Sequence, residues 1–304
     1  MKKAIIDVGS NSIKFFLGEF ASGGKVQAIL NDNDIARLGE GLRETGVISA
    51  EAMTRNSDAI ARFAKIARHN GADEIICVGT MALRNAKNTA DFVKLVKETC
   101  DVDLQVIPGE EEARLSYLAV LSGLTLQSGS LAIFDTGGGS TEFVFGQGTE
   151  LTNRFSVDLG AIRITEKHFT ADPITTESLA NALAEIDSIF AEHNVGDTVS
   201  QLVGMGGTVT SMGAVKHKMA KYDADVIQGS TLTLTDVEEQ IAAYSTKTIE
   251  ERKTIVGLQP KRADVILAGA CILKVIMNRL GVNQLTISDR GLRHGLAYDI
   301  ASKI

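Results

Sequence analysis

The stretch Leu131–Gly146, LAIFDTGGGSTEFVFG, holds the pattern around which the rest of the chain can be understood. Two short apolar runs flank a turn with three consecutive glycines, which is the signature of a β-hairpin. Glycine lacks the Cβ atom that would keep backbone amides away from a ligand. The turn therefore predicts an anion-binding nest of N–H groups, with the hydroxyls of Ser140 and Thr141 beside it. A plain β-hairpin remains the alternative interpretation of this stretch taken alone.

Two carboxylates flank the glycine turn. Asp135 precedes it and Glu142 follows it. These negative charges would repel a phosphate group unless a hard cation such as Mg²⁺ lay between the carboxylates and the phosphate. Carboxylate oxygens are ligands that Mg²⁺ prefers.

A second copy of the pattern lies at the N-terminus. Shifted by 128 positions, Ala4–Gly9 falls on Ala132–Gly137, and the register continues without a gap until Gly18 falls on Gly146. This repetition predicts two similar half-domains whose polar turns clamp a phosphate group from both sides. Neither copy fits the GxxxxGK[ST] pattern or a GxGxxG that opens a helix, which argues against a P-loop and a Rossmann domain.

Composition narrows the class of protein. The chain has 304 residues, of which 44% are hydrophobic and 23% charged, so that it has room for two globular domains. It contains no run of about 18 apolar residues, and its N-terminal apolar run is too short for a signal peptide. Its three cysteines are widely spaced, which predicts buried thiols in a reducing cytoplasm, and its net charge of −7 does not support nucleic-acid binding. We therefore expect a cytoplasmic protein without nucleic-acid or membrane partners.

Apolar runs and helical patterns alternate along the chain, which predicts an α/β layered fold. We expect one domain over residues 1–124 and a second over residues 125–304, joined by a compact hinge near Gly123–Gly129, with the last helix able to pack back on the first domain. Pro108-Gly109 ends a strand, and the glutamates Glu110–Glu112 then begin a helix. Acidic residues in a first turn interact favourably with the helix dipole. Alternatively, one of them faces the glycine loops as a general base.

Together these motifs resemble the exopolyphosphatase/guanosine pentaphosphate phosphohydrolase (Ppx/GppA) family over nearly the whole chain. DVGSNSIK (Asp7–Lys14) is similar to its first phosphate loop and DTGGGSTE (Asp135–Glu142) to its second. Thr80–Asn85 resembles its segment with a phosphate-facing arginine, which falls on Arg84. GEEEARL resembles its helix start with the catalytic glutamate, which falls on Glu112, and LGAIRITE, GMGGT, RADVILAGA and SDRGLRHG resemble its later landmarks.

The resemblance implies two duplicated ribonuclease H-like domains of the actin, Hsp70 and sugar kinase superfamily, with an interdomain cleft. It also implies inorganic polyphosphate as the substrate, pppGpp or ppGpp as a further ligand, and a homodimer. Because the sequence stops soon after SDRGLRHG, it resembles the short, two-domain form, without the extra C-terminal region of long members.

The activity implied is that of an exopolyphosphatase dependent on Mg²⁺, with Mn²⁺ as the alternative metal. Glu112 would orient or deprotonate the attacking water, and Arg84 would neutralise charge on the transferred phosphoryl group. The metal would be held by the carboxylates of Asp135, Glu142 and Asp7. The phosphate-binding residues would be those of the two hairpin turns: Ser10, Asn11, Ser12, Gly137, Gly138, Gly139, Ser140 and Thr141.

Several alternatives use the same motifs. The closest in chemistry is a phosphohydrolase that removes the 5′ γ-phosphate of pppGpp, and a sugar or acetate kinase is a more distant one. A non-catalytic sensor that binds (p)ppGpp or polyphosphate, or an actin-like filament protein, would keep the loops without hydrolysis. Lys14 and Arg163 are weaker candidates for holding the substrate, and Gly206–Thr208 resemble the loop that contacts adenosine in nucleotide-binding relatives of the superfamily.

Overall fold

The computed structural model describes residues 1–21, 25–124, 128–147 and 150–303, without the side chain of Arg43. Its contacts divide the chain into two compact units: Met1–Ser122 together with Leu292–Ile304, and Gly123–Gly291. The first unit ends at Ser122, two residues before the boundary expected at residue 124, and the closing helix belongs to the first unit. Positions 125–127 of the expected hinge lie outside the described residues.

The elements are numbered along the chain. The strands are β1 (Lys2–Val8), β2 (Ile13–Ala21), β3 (Lys25–Asp34), β4 (Glu74–Gly79), β5 (Leu104–Val106), β6 (Ser130–Thr136), β7 (Thr141–Gln147), β8 (Glu150–Val157), β9 (Gln201–Met205), β10 (Thr231–Thr233) and β11 (Gln284–Ile287). The helices are α1 (Leu42–Thr45), α2 (Ala50–His69), α3 (Met81–Asn85), α4 (Thr89–Cys100), α5 (Gly109–Leu121), α6 (Ala161–His168), α7 (Thr176–Glu192), α8 (Gly206–Lys216), α9 (Ala224–Ile227), α10 (Leu234–Ser245), α11 (Ile249–Arg252), α12 (Ile266–Arg279) and α13 (Leu292–Ala301). No helix among the described residues combines the length and the hydrophobicity that crossing a bilayer requires.

The first unit is built on a five-stranded sheet in the order β3-β2-β1-β4-β5. Strand β1 runs antiparallel to β2 and parallel to β4, which is parallel to β5. Successive side chains of β1 point to opposite faces of the sheet. Ile6 therefore joins the core formed with Phe63 of α2, whereas its neighbour Ile5 packs on the other face with Ala297 of α13. The closing helix of the chain thus covers one face of the first sheet.

The second unit is built on a six-stranded sheet in the order β10-β11-β9-β6-β7-β8. Strand β6 runs antiparallel to β7 and parallel to β9, which is parallel to β11. Its core includes α12, whose apolar residues are buried on nearly every side of the helix. A helix of this kind is typical of a position within the core rather than on the surface.

The two hairpins have the same register. Asp7 lies opposite Lys14 in the first, and Asp135 lies opposite Glu142, at the equivalent positions, in the second. The pairing of the second strand with the third also shifts its register at equivalent positions in the two units, between Leu17 and Gly18 of β2 and between Phe145 and Gly146 of β7. The duplicated ribonuclease H-like class predicted from the sequence is therefore confirmed by the strand order and pairing of each unit.

Candidate active site

The predicted residues of the first unit gather at one edge of its sheet. The first phosphate loop (Gly9–Ser12) follows β1, and the amide of Thr80, directly after β4, donates to the carbonyl of Val8 at 3.2 Å. The amide of Ile107, directly after β5, donates to the carbonyl of Gly79 at 3.0 Å. Because the three strands are parallel, the segments after them meet at their carboxyl ends, where α/β sheets commonly bind ligands.

Arg84 and Glu112 form an ion pair at this edge. Arg84 lies in the last turn of α3 and Glu112 in the first turn of α5. Arg84 Nη1 donates to Glu112 Oε2 at 2.7 Å and to the carbonyl of Ile107 at 3.1 Å. The two side chains are only 20% and 13% exposed. A charge-assisted hydrogen bond in such partly desolvated surroundings holds the carboxylate in a defined orientation.

The other glutamates of the helix start have different surroundings. Glu111 accepts two hydrogen bonds from Arg114, at 2.7 and 2.8 Å, and these bonds lower the pKa of its carboxyl. Arg114 also donates to Asp299 of α13 at 2.9 Å. Glu110 is exposed. The geometry thus sets Glu112, which pairs with the candidate phosphate-facing arginine, apart from its two neighbours.

The first phosphate loop is fastened through its carbonyl groups to the segment that follows β3. The carbonyl of Ser10 accepts from the amide of Gly39 at 2.9 Å, and that of Asn11 accepts from the amide of Arg37 at 3.0 Å. The carbonyl and the N–H of a trans peptide point in opposite directions. The N–H groups of Asn11 and Ser12 therefore point away from the fastening segment, as an anion nest requires.

The second phosphate loop (Gly137–Ser140) is fastened in the same way, here to the start of α6. The carbonyls of Gly137 and Gly138 accept from the amides of Ala161 and Ile162 at 3.0 and 2.8 Å. These amides belong to a first helical turn, which has no carbonyl partners within its own helix. By the same peptide geometry, the N–H groups of Gly138 and Gly139 point away from α6. The duplication thus includes the hydrogen bonds that orient each loop.

The hydroxyl groups of the loops differ in their surroundings. Thr141 is fully buried and its hydroxyl donates to the carbonyl of Leu159 at 2.7 Å. This bond helps to hold the hairpin in place, and phosphate binding by Thr141 stays a prediction. Ser10 and Ser140 are also largely buried, and the Ser10 hydroxyl lies 3.8 Å from the sulfur of Met81. Asn11 and Ser12 are partly exposed.

The predicted metal ligands fall into two kinds. The buried Asp7 carboxylate lies 3.9 Å from the ammonium group of Lys14, which offsets its charge. In the second hairpin, Glu142 occupies the position equivalent to Lys14 and lies directly opposite Asp135. Residues that lie opposite each other on neighbouring strands have their side chains on the same face of the sheet. Glu142 also accepts from the hydroxyl of Ser156 at 2.9 Å.

The Asp135–Glu142 pair fits a magnesium ion better than Asp7 does. Mg²⁺ is usually held by one or two carboxylates and keeps several waters, so two adjacent carboxylates suffice. Without a cation, their like charges would repel each other. Among the residues that the structure describes, no group of three or more His, Cys, Asp and Glu side chains forms a closed metal-binding cluster.

The start of α8 adjoins the second loop. Gly206 has a left-handed φ of 83°, and a Cβ atom there would lie 2.2 Å from Asp135 Oδ1. Gly207 packs directly against the guanidinium of Arg262. Arg262 was not a candidate from the sequence, because only the tertiary packing brings it to Gly207. Thr208 is buried against α12 and thus supports the structure around the loop.

Arg163, a weaker candidate, donates from Nη1 to the carbonyl of Asp158 in the segment before α6. This bond braces the segment that fastens the second loop. The structure thus places Arg163 beside the segment that is bonded to the second loop.

The sequence matches the Ppx/GppA phosphatase family over residues 20–304, which includes both α5 and the second loop. The chain belongs to this family. Exopolyphosphatase 2 of Mycobacterium tuberculosis is 30% identical over 313 residues, which cover 98% of each protein. The guanosine-5'-triphosphate,3'-diphosphate pyrophosphatase of Vibrio atlanticus is 32% identical over 305 residues, or 99% of this chain and 59% of that protein. A bifunctional 3-dehydroquinate synthase/phosphatase of Fusobacterium nucleatum is 30% identical over 300 residues, or 94% of this chain and 45% of that protein.

Solved structures agree with this assignment. A Ppx/GppA family member from Aquifex aeolicus superimposes with a TM-score of 0.84 and is 30% identical, with 100% of this chain and 98% of that one covered. An exopolyphosphatase-like protein superimposes with a TM-score of 0.92 at 28% identity, over 98% and 97% of the two chains. The chain therefore spans nearly the full length of some Ppx/GppA proteins and about half the length of others.

Proposed function

We propose that the chain is an exopolyphosphatase that hydrolyses the terminal phosphoanhydride of inorganic polyphosphate and releases orthophosphate. The observation that carries this proposal is the Arg84–Glu112 ion pair, which lies at the same sheet edge as the first phosphate loop. Exopolyphosphatase 2 supports it, because that relative matches the chain over 98% of both lengths.

In the proposed reaction a water molecule attacks the terminal phosphorus in line with the bridging oxygen. Glu112 orients the water and accepts its proton, and the bridging P–O bond breaks, so that the shortened chain leaves with the bonding electrons. Arg84 neutralises negative charge on the transferred phosphoryl group. The outward N–H groups of each loop are donors suited to phosphate oxygens, and the serine side chains of that loop add to its set of donors.

We propose Mg²⁺ as the metal, with Asp135 and Glu142 as the residues that would hold it directly or through water; Asp7, whose charge Lys14 offsets, is the weaker candidate. When bound, such an ion neutralises phosphate charge and orients the substrate. Mn²⁺ prefers the same oxygen ligands and is the expected substitute.

A pppGpp 5′-phosphohydrolase is the second candidate. The Vibrio relative favours it, because that protein is a guanosine-5'-triphosphate,3'-diphosphate pyrophosphatase and is 32% identical over 99% of this chain. Cleavage of a terminal phosphoanhydride is common to both candidates. Polyphosphate remains the first choice, since the chain spans only 59% of that relative.

Phosphate release with Mg²⁺ from short polyphosphate, long polyphosphate and pppGpp, measured in parallel, tests the proposal. Release from either polyphosphate supports the exopolyphosphatase and gives its preference for chain length. Release from pppGpp alone would replace it with the second candidate. Binding of these ligands without any release would instead identify a sensor.

Two further expectations belong to the proposal. The homodimer implied by the family resemblance is tested by light scattering of the purified protein. The cytoplasmic location implied by the unpaired cysteines Cys77, Cys100 and Cys271 is tested by cell fractionation.

A further inference from the structure

Arg37 has an unusual backbone conformation. Four non-glycine residues in the described parts of the chain have a positive φ, namely Arg37 (49°), Asp101 (50°), Asn194 (56°) and Lys218 (48°). Three of them lie at or directly after the C-terminal caps of helices, where a left-handed residue is a common way of ending a helix. Arg37 instead lies between a strand and the short helix α1, in the segment that fastens the first phosphate loop.

The surroundings of Arg37 hold this conformation in place. Its amide donates to the carbonyl of Asn11 at 3.0 Å, and its carbonyl accepts from Arg55 Nη2 at 3.3 Å. The preceding carbonyl, of Ala36, accepts from Arg55 Nε at 2.7 Å and from the amide group of Asn56 at 2.9 Å. A strained conformation that is held from several sides is a feature that concentrates at functional sites.

Arg37 also adds a positive charge beside the first phosphate loop, where a polyanionic substrate would bind. Its amide is bonded to the carbonyl of Asn11, so its side chain starts from a Cα atom that neighbours the first phosphate loop. The Asp7–Lys14 pair adjoining this loop is neutral as a pair, and the whole chain has a net charge of −7. An arginine beside a nest of amides offers phosphate oxygens a forked set of charged donors.

We propose that Arg37 binds phosphate oxygens of the polyanionic substrate, and that the chain keeps an arginine at a left-handed position for this purpose. Glycine would adopt the same backbone without strain, so the backbone conformation by itself does not require arginine here. This inference rests on the proposed function for its substrate, a chain of phosphoanhydride-linked phosphates.

The experiment compares Arg37→Gly with a matched control, Lys218→Gly. Both variants remove a cation and relieve a left-handed backbone, but Lys218 lies at the end of α8, outside the loops. The measurements are KM and kcat for polyphosphate, the dissociation constant of polyphosphate from calorimetry, and the urea midpoint of unfolding. All are made at low and at high salt, because screening weakens contacts between exposed charges.

We expect Arg37→Gly to raise the KM and the dissociation constant about ten-fold, as the loss of a charge-assisted hydrogen bond implies. The urea midpoint should stay the same or rise, and the effect on binding should shrink at high salt. Lys218→Gly should leave KM and binding unchanged. Equal KM and dissociation constants in wild type and Arg37→Gly would overturn the proposal, as would an equal effect of Lys218→Gly.

The design separates the two proposals. If wild type releases no phosphate from polyphosphate, the proposed function fails, while the dissociation constants still decide whether Arg37 binds the polyanion. If wild type is active and Arg37→Gly has the same constants, only the assignment of Arg37 fails.

Discussion

Replacing Glu112 with glutamine tests the central assignment with little disturbance of the fold. The amide oxygen of glutamine can still accept the hydrogen bond that Arg84 Nη1 donates to Glu112 Oε2 at 2.7 Å. What Glu112→Gln removes is the negative charge and the ability to accept a proton from water. The variant therefore separates catalysis from packing.

Glu112→Gln should lower kcat far more than it lowers folding stability. Loss of a general base lowers kcat by roughly 100-fold to 10,000-fold, or about 3–5 kcal/mol of transition-state free energy. The ion pair becomes a hydrogen bond between the charged guanidinium and a neutral amide oxygen, which costs about 1 kcal/mol of folding stability. Because the two side chains are 13% and 20% exposed, solvent screens this pair only partly and the loss should be measurable.

The matched control is Glu111→Gln, one residue away on the same turn of α5. Glu111 is also ion-paired, with Arg114 at 2.7 Å, so the same chemical change removes a charge from a comparable pair. We expect a similar or smaller loss of stability and a nearly unchanged kcat. Steady-state phosphate release and urea unfolding of both variants provide the measurements.

Two results would refute the assignment. A kcat of Glu112→Gln within about three-fold of wild type would remove Glu112 as the base, since general-base catalysis is worth far more than that. Equal losses of kcat in both variants would mean that the charge of the helix start, rather than one carboxylate, supports the reaction.

Three further predictions concern the surroundings of the site. Gly295→Ala should destabilise the protein by about 2–3 kcal/mol in urea unfolding, because its Cβ would lie 1.8 Å from the carbonyl oxygen of Leu115. Asp299→Asn should lower stability at pH 7 but less so below about pH 4, because the hydrogen bond from Arg114 lowers the pKa of Asp299 and this stabilisation is lost as the carboxylate is protonated. Glu142→Gln should raise the Mg²⁺ concentration needed for half-maximal phosphate release by about ten-fold, since it removes one of two adjacent carboxylates.

Each of these predictions has its own check. Gly196→Ala, whose Cβ would meet only ordinary contacts, should change stability by less than about 0.5 kcal/mol, and an equal effect of the two alanines would contradict the packing argument. A stability difference for Asp299→Asn that is the same at pH 7 and pH 3 would contradict the linkage to Arg114. Asp7→Asn should shift the Mg²⁺ requirement less than Glu142→Gln, because Lys14 already offsets Asp7; the reverse order would move the proposed metal to the first hairpin.

Local patterns in the sequence predict the two hairpins and the start of the helix that carries Glu112. The two strand–aspartate–glycine hairpins are visible because each lies within some fifteen residues and recurs at a constant offset, and their register in the two sheets is the same. The helix that carries Glu112 was expected to begin after Pro108-Gly109, and it begins at Gly109, one residue earlier. Strand β8 (ELTNRFSV) lacks a clear strand pattern in the sequence, because it is largely polar and lies at an edge of its sheet.

Only the tertiary structure decides which of these local features meet. Arg84 and Glu112 are 28 residues apart and pair because the parallel strands before them end at the same sheet edge. The same non-local packing buries the hydroxyl of Thr141, joins α13 to the first unit and holds Arg37 in its left-handed backbone. Local sequence specifies strands, turns and helix starts through short-range sterics and hydrogen bonds. The partners of each side chain depend on how distant segments pack, which no short stretch encodes by itself.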